Sequence, residues 1–150
     1  MVGRRHVTVV RHQLRITADL SRIAEIRAAV REVAAGCDAP EMCESDLVQA
    51  VDEAATNTIV HGYRGAAGWL EVTAEHVDDH IVITLEDAAP TFDPTTVAEP
   101  DMSLDPARRR PGGMGIHLIR LATDSMRHRP RPGGGNILTL TRRLDDEPVT

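Results

Sequence analysis

The sequence predicts an α+β domain, a two-layer α/β sandwich in which three main helices lie on one face of a largely antiparallel mixed sheet. Three observations predict it. Two early stretches carry apolar residues at helical spacing. A pair of strands follows, joined by the short turn Val77-Asp78-Asp79-His80. A glycine-opened helix and two more strands then complete the order β-α-α-β-β-loop-α-β-β.

His6 to Ile16 is rich in Val and Ile, partly alternates and reads as the first strand. Asp19 or Ser21 can cap a helix in which Ile23, Ile26, Val30 and Val33 recur, with Gly36 as its stop. A second helix is expected from about Pro40 to His61, opened by a capping-box pair of Asp38 and Glu41 and ended by Gly62. Its apolar stripe is Leu47, Val48, Val51, Ala55, Thr58 and Ile59. Trp69 to His76 and Ile81 to Leu85 read as a hairpin. Ala88 to Pro111 is proline-rich and has no sustained periodicity, and a loop of that length is often a lid or binding loop. Gly113 to Ala122 reads as a short helix. Ser125 to Arg131 and Ile137 to Arg142 read as strands around the turn Pro132-Gly133-Gly134-Gly135-Asn136. A frayed tail is expected over 145–150, and a single domain over 1–150.

Composition narrows the function. The chain is 150 residues long with 41% apolar residues, enough for one core, yet aromatics are only 2%. Few aromatics argue against stacking platforms for single-stranded nucleic acid, and a net charge of −6 argues against a nucleic-acid footprint. The one dense basic cluster, Arg108 to Arg110, is too short for such a footprint and suits a solvated loop. No apolar core follows Arg4 and Arg5, and no window has the length of a membrane span, so a cytoplasmic protein with no membrane partner is expected. Cys37 and Cys43 suit reduced thiols. The histidines suggest no dedicated metal cage.

Three motifs carry chemistry. Glu53, Asn57 and His61 are four residues apart in turn, so on a helix they share a narrow face beside Ala50 and Ala54. An Asn carbonyl suits Mg²⁺, which takes few protein ligands, and a Glu one turn earlier can accept a proton from an attacking hydroxyl. The same spacing is common on solvated helix edges. Asp87 directly follows a strand, where a carboxylate can accept a hydrogen bond from the exocyclic amine of adenine; an Asp in an ordinary turn looks the same. Arg110 to Ile119 places glycines before a helix, where free N–H groups and the helix dipole favour a phosphate. The Lys-Ser/Thr of a P-loop is missing. His117 is expected on the helix surface without a chemical role.

In this order the motifs resemble the Bergerat-fold (GHKL) ATPases, the family shared by gyrase, histidine kinases and related chaperones. Glu53-Ala54-Ala55-Thr56-Asn57 resembles its N-box, Asp87 begins its first glycine box, and Gly113-Met114-Gly115-Ile116 resembles its second. The wording of Ala50-Val51-Asp52-Glu53-Ala54, His61-Gly62-Tyr63, Phe92-Asp93-Pro94 and Gly135-Asn136-Ile137-Leu138 is similar to the anti-sigma serine kinases of the stress-response and sporulation type. The likeness runs from about His12 to Arg143.

The resemblance implies that Asn57 binds Mg²⁺, Glu53 is the general base and Asp87 reads adenine. Gly113, Met114, Gly115 and Ile116 would frame the triphosphate of ATP under a lid from about Thr95 to Pro111. It implies a serine or threonine substrate on an anti-anti-sigma (STAS-type) protein, a sigma factor as second partner, and a homodimer. Ala89 stands where the family's first box has glycine, and Thr91 replaces the usual proline before Phe92. A Cβ at Ala89 sits where the chain is expected to need positive φ. That departure favours the alternative, a sigma-factor or antagonist-binding module with weak or lost nucleotide binding.

Overall fold

The computed structural model describes residues 10–108 and 113–145. Five strands form one sheet: β1 (Arg11–Thr17), β2 (Trp69–Val77), β3 (His80–Asp87), β4 (Ser125–Pro130) and β5 (Asn136–Arg143). Their order across the sheet is β1-β2-β3-β5-β4. Every pairing is antiparallel, so among the described residues the sheet is antiparallel throughout rather than mixed. The helices are α1 (Ile23–Gly36), α2 (Glu41–Thr56) and α3 (Gly113–Ala122).

Strand alternation divides the sheet into a covered and an open face. Along β3, Ile81, Ile83, Leu85 and Asp87 are buried, while His80, Val82, Thr84 and Glu86 are half-buried on the other side. Leu70, Val72 and Ala74 of β2 and Leu140 of β5 share the covered face. The helical stripes close over it. Ile23, Ile26, Val30 and Val33 of α1 and Leu47, Ala50, Val51, Ala54 and Ala55 of α2 are all buried, as are Ile116, Ile119 and Ala122 of α3. Burying each of the larger aliphatic side chains contributes about 1.5–3 kcal/mol. Among the described residues no helix is long and apolar enough to cross a membrane.

Several boundaries differ from the sequence expectations for local reasons. Residues 6–9 of the expected first strand lie outside the described residues, and β1 runs on to Thr17. Asp19 caps the short turn before α1 by accepting the Ser21 N–H at 2.9 Å. No capping box opens α2. Its N-cap is Pro40, and Asp38 instead takes φ of 51°, the left-handed turn that separates α1 from α2. Gly36 ends α1 as a helical residue. At the other end the α-helix stops at Thr56, and residues Asn57–Gly62 continue as a wider π turn. The β2–β3 turn is two residues long, since Val77 pairs with His80. His76 and His80, four apart in sequence, flank that turn.

Candidate active site

A cavity of about 910 Å³ opens between the end of α2, the start of α3 and the tips of β3, β4 and β5. Asn57, Asp87, Gly113 and Ile116 all line it, together with Ala54, Thr58 and His61. Of the other expected site residues, Glu53, Met114 and Gly115 do not contribute to its lining. The lid is described from Thr95 to Arg108; Arg109, Arg110, Pro111 and Gly112 lie outside the described residues.

Asn57 stands where α2 widens into the π turn. Such turns are frequent at functional sites, because the extra residue re-aims side chains without breaking the helix. The turn closes with the Tyr63 N–H on the Thr58 carbonyl at 2.9 Å. It delivers the buried Tyr63 hydroxyl to three backbone groups. That hydroxyl donates to the Trp69 carbonyl at 2.6 Å and accepts from the N–H groups of Ala88 at 2.9 Å and Trp69 at 3.3 Å. The residue following Asp87 is thereby tied to the end of the helix that carries Asn57.

Asp87 is the last residue of β3 rather than a turn residue beyond it. Period-two alternation carries it onto the covered face, in line with Ile81, Ile83 and Leu85, where it is 3% exposed. Burial pushes its carboxyl above the usual carboxylate range, opposed by hydrogen bonds from Asn136, the Ala89 N–H and Thr58, and by the charge of His128. Oδ1 accepts the Asn136 amide at 2.9 Å and the Ala89 N–H at 3.0 Å. Among the described residues Oδ2 has one partner, the Thr58 hydroxyl at 3.4 Å.

The loop after Asp87 is sewn to β5. Asn136 Oδ1 accepts the Phe92 N–H at 2.9 Å, and its amide donates to the Pro90 carbonyl at 3.2 Å. Thr91, in the place of the family's proline, donates its hydroxyl to the Gly135 carbonyl at 3.1 Å. Gly135 has φ of 124°, and a Cβ there would stand 2.0 Å from the Asp87 carbonyl oxygen. Only glycine lets β5 approach so closely. The expected demand for positive φ at Ala89 is not met, since Ala89 is absent from the residues with left-handed backbone. Its methyl packs against Gly62, where an added Cβ would come within 3.1 Å of it.

Glu53 lies one turn before Asn57 and makes no hydrogen bond or ion pair among the described residues. Helix α3 crosses directly over it: a Cβ at Gly115 would stand 2.9 Å from Glu53 Oε2 and 3.8 Å from Asn57 Oδ1. Gly115, Asn57 and Glu53 thus follow one seam between α2 and α3. Beyond that seam, Arg120 of α3 holds the base of the lid by donating to the carbonyls of Val97 at 2.7 Å and Thr95 at 3.2 Å. His117 is half-buried rather than on the surface, and its Nδ1 is buried without a hydrogen-bond partner among the described residues.

Sequence reasoning missed Asn136 and His128. Both occupy inward positions of their strands, Asn136 opposite Asp87 and His128 opposite Leu138. A polar residue at an apolar register position was the available signal. Among the described residues no three His, Cys, Asp or Glu side chains gather around a common point. Asn57 brings one amide oxygen to the cavity lining, a donor of the kind that suits Mg²⁺, which takes few protein ligands and fills the rest of its shell from ligand and water.

A family model for the histidine kinase-like ATPase domain matches residues 16–142. An anti-sigma F factor of Caldanaerobacter subterraneus subsp. tengcongensis is 26% identical over 67% of this chain and 70% of its own. A serine-protein kinase RsbW of Staphylococcus aureus is 26% identical over 91% of this chain and 89% of its own. Among solved structures, the RsbU and RsbW domains of Rv1364c from Mycobacterium tuberculosis superpose with a TM-score of 0.62 at 22% identity, over 89% of this chain and 32% of that one. That likeness speaks to the fold, and this chain spans about a third of that chain. On the match across most of its length, the chain belongs to the histidine kinase-like ATPase domain family.

Proposed function

We propose that the chain binds ATP with Mg²⁺, phosphorylates a serine or threonine of an anti-anti-sigma protein and sequesters a sigma factor. The observation that carries this reading is convergence: Asn57, Asp87 and Gly113 line one cavity although they come from three separate elements. Its volume lies within the range of small-ligand sites, and its lining is mostly apolar with a few polar groups. The names of the relatives, anti-sigma F factor and serine-protein kinase, supply the partner classes.

Asp87 Oδ2 accepts from the exocyclic amine of adenine. Asn57 offers its amide oxygen to Mg²⁺, which neutralises phosphate charge when bound. The amide at the start of α3 favours the phosphates, and Arg64 adds a positive charge to the lining. Glu53 takes the proton of the attacking hydroxyl as its oxygen bonds to the γ-phosphorus and ADP departs. Such transfer depends mainly on positioning and electrostatics, so no further covalent group is needed.

Calorimetric titration with ATP and Mg²⁺, with GTP as control, tests the pocket. ATP is expected to bind selectively, and Asp87→Asn to lose that selectivity. Incubation with ATP and an anti-anti-sigma protein tests the transfer, which Glu53→Ala is expected to abolish. Undiminished transfer by Glu53→Ala would reject the base, and absence of any nucleotide binding would leave a sequestering module instead.

A further inference from the structure

The hydrogen-bond chain behind Asp87 has directions that follow from its members alone. The Phe92 backbone N–H can only donate, so the Asn136 atom 2.9 Å away is the carbonyl oxygen Oδ1. That oxygen also lies 2.7 Å from His128 Nε2, so His128 carries its proton on Nε2 and donates. Asn136 is then turned with its amide nitrogen toward Asp87 Oδ1 and toward the carbonyls of Pro90 and Ala89. Those two carbonyls can only accept, which requires the same orientation. The relay is buried: the His128 side chain is 4% exposed and Asn136 is 9% exposed.

The consequence falls on Asp87. Asp87 lines the cavity; its Oδ1 is occupied by two N–H donors, and Oδ2, with one long contact, is the less occupied acceptor. We infer that His128 and Asn136 are positioning residues that hold Asp87 as an oriented acceptor and so set the preference for a purine with an amino group at C6 over one with an oxo group there. The inference rests on the nucleotide reading above. The chemistry is direct. A carboxyl that rotates or takes up a proton can donate to an oxo group, and burial encourages protonation. Two N–H donors on Oδ1 favour the ionised, acceptor-only form. His128 contributes by fixing which end of the Asn136 amide faces Asp87. Its Nδ1 lies 3.8 Å from Oδ1 of Asp93, the residue that caps the short turn Pro94–Thr96.

The test compares ATP and GTP affinities, by calorimetry, for the unaltered chain, His128→Leu and His128→Gln. His128→Leu is expected to narrow the ATP-over-GTP ratio by about tenfold, the loss of roughly one hydrogen bond's discrimination. His128→Gln, which keeps an N–H donor, is expected to retain most of the ratio. Equal weakening of both nucleotides, or an unchanged ratio, in His128→Leu would overturn the relay and leave a packing role. Should His128→Leu not fold, Asn136→Leu, which cannot donate to Asp87, is read the same way: a narrowed ratio supports the relay and a retained one rejects it. An unaltered chain that binds neither nucleotide overturns the pocket itself and the relay with it. Selective ATP binding beside an indifferent His128→Leu overturns the relay alone.

Discussion

The two ends of the cavity are built differently. At the sheet end, Asp87, Asn136, His128, Tyr63 and the loop of Ala88 to Phe92 form a buried network in which nearly every polar group has a partner. At the helix end, Glu53 has no partner among the described residues, Asn57 is half-buried, and α3 crosses over Glu53 at Gly115, where the nearest atom is the end of a flexible side chain. Buried hydrogen bonds fix geometry, because leaving any one unmade costs desolvation. The sheet end is thus set before any ligand arrives. The helix end keeps free polar groups that a charged ligand and a cation can satisfy.

Substitutions test this contrast. The largest effect is expected from Gly135→Ala, whose methyl would meet the Asp87 carbonyl oxygen and whose backbone is left-handed. It should destabilise the chain by about 4 kcal/mol in urea unfolding, because rigid backbone lies on both sides of the contact. Tyr63→Phe should cost about 1–3 kcal/mol by the same measurement, since it strands buried backbone groups of Trp69 and Ala88.

Asp87→Asn separates charge from shape. Burial raises the Asp87 carboxyl pKa in the folded chain, so the folded state holds that proton more tightly than the unfolded state. Its contribution to stability is therefore greatest at low pH and falls as pH rises from the ordinary carboxylate range through the raised value. Relative to Asp87→Asn, the unaltered chain should lose stability across that window. A flat difference between the two unfolding curves over pH would contradict the burial argument.

Gly115→Ala should have the smallest effect on folding. The added methyl meets the far end of a flexible Glu53 side chain, and Ala is the better helix former, so stability should change by less than about 1 kcal/mol. Phosphate transfer should nonetheless fall sharply, because Glu53 is displaced. A variant equally impaired in folding and transfer would erase the proposed distinction between the two ends.

Most of the fold was legible in the sequence because its periodicities were plain. Ile23, Ile26, Val30 and Val33 all fell inside, as did Ile81, Ile83 and Leu85. The helical spacing of Glu53 and Asn57 was equally legible, since it survives into α2 and its junction. The sheet end was not. From the sequence, Asp87 just past an apolar strand reads equally as an adenine acceptor or as an ordinary turn residue, whereas pairing with Asn136 makes it the last residue of β3 and carries it inside. Asn136 was read as a turn residue and His128 as part of an ordinary strand. Their roles depend on which residues face each other across the sheet, and a single strand's pattern does not contain that register. The π turn was hidden for a similar reason: its last residue Gly62 and the following Tyr63 dock onto the loop after β3, a contact far apart in sequence.

The central claim is that one cavity receives a nucleotide along its whole length. Amide NMR of the full chain, titrated with ATP and Mg²⁺, tests it most directly. Resonances of Asn57, Ala89, Gly113 and Asn136 are expected to shift together with a single affinity. Shifts confined to one of these segments, or none at saturating nucleotide, would contradict it.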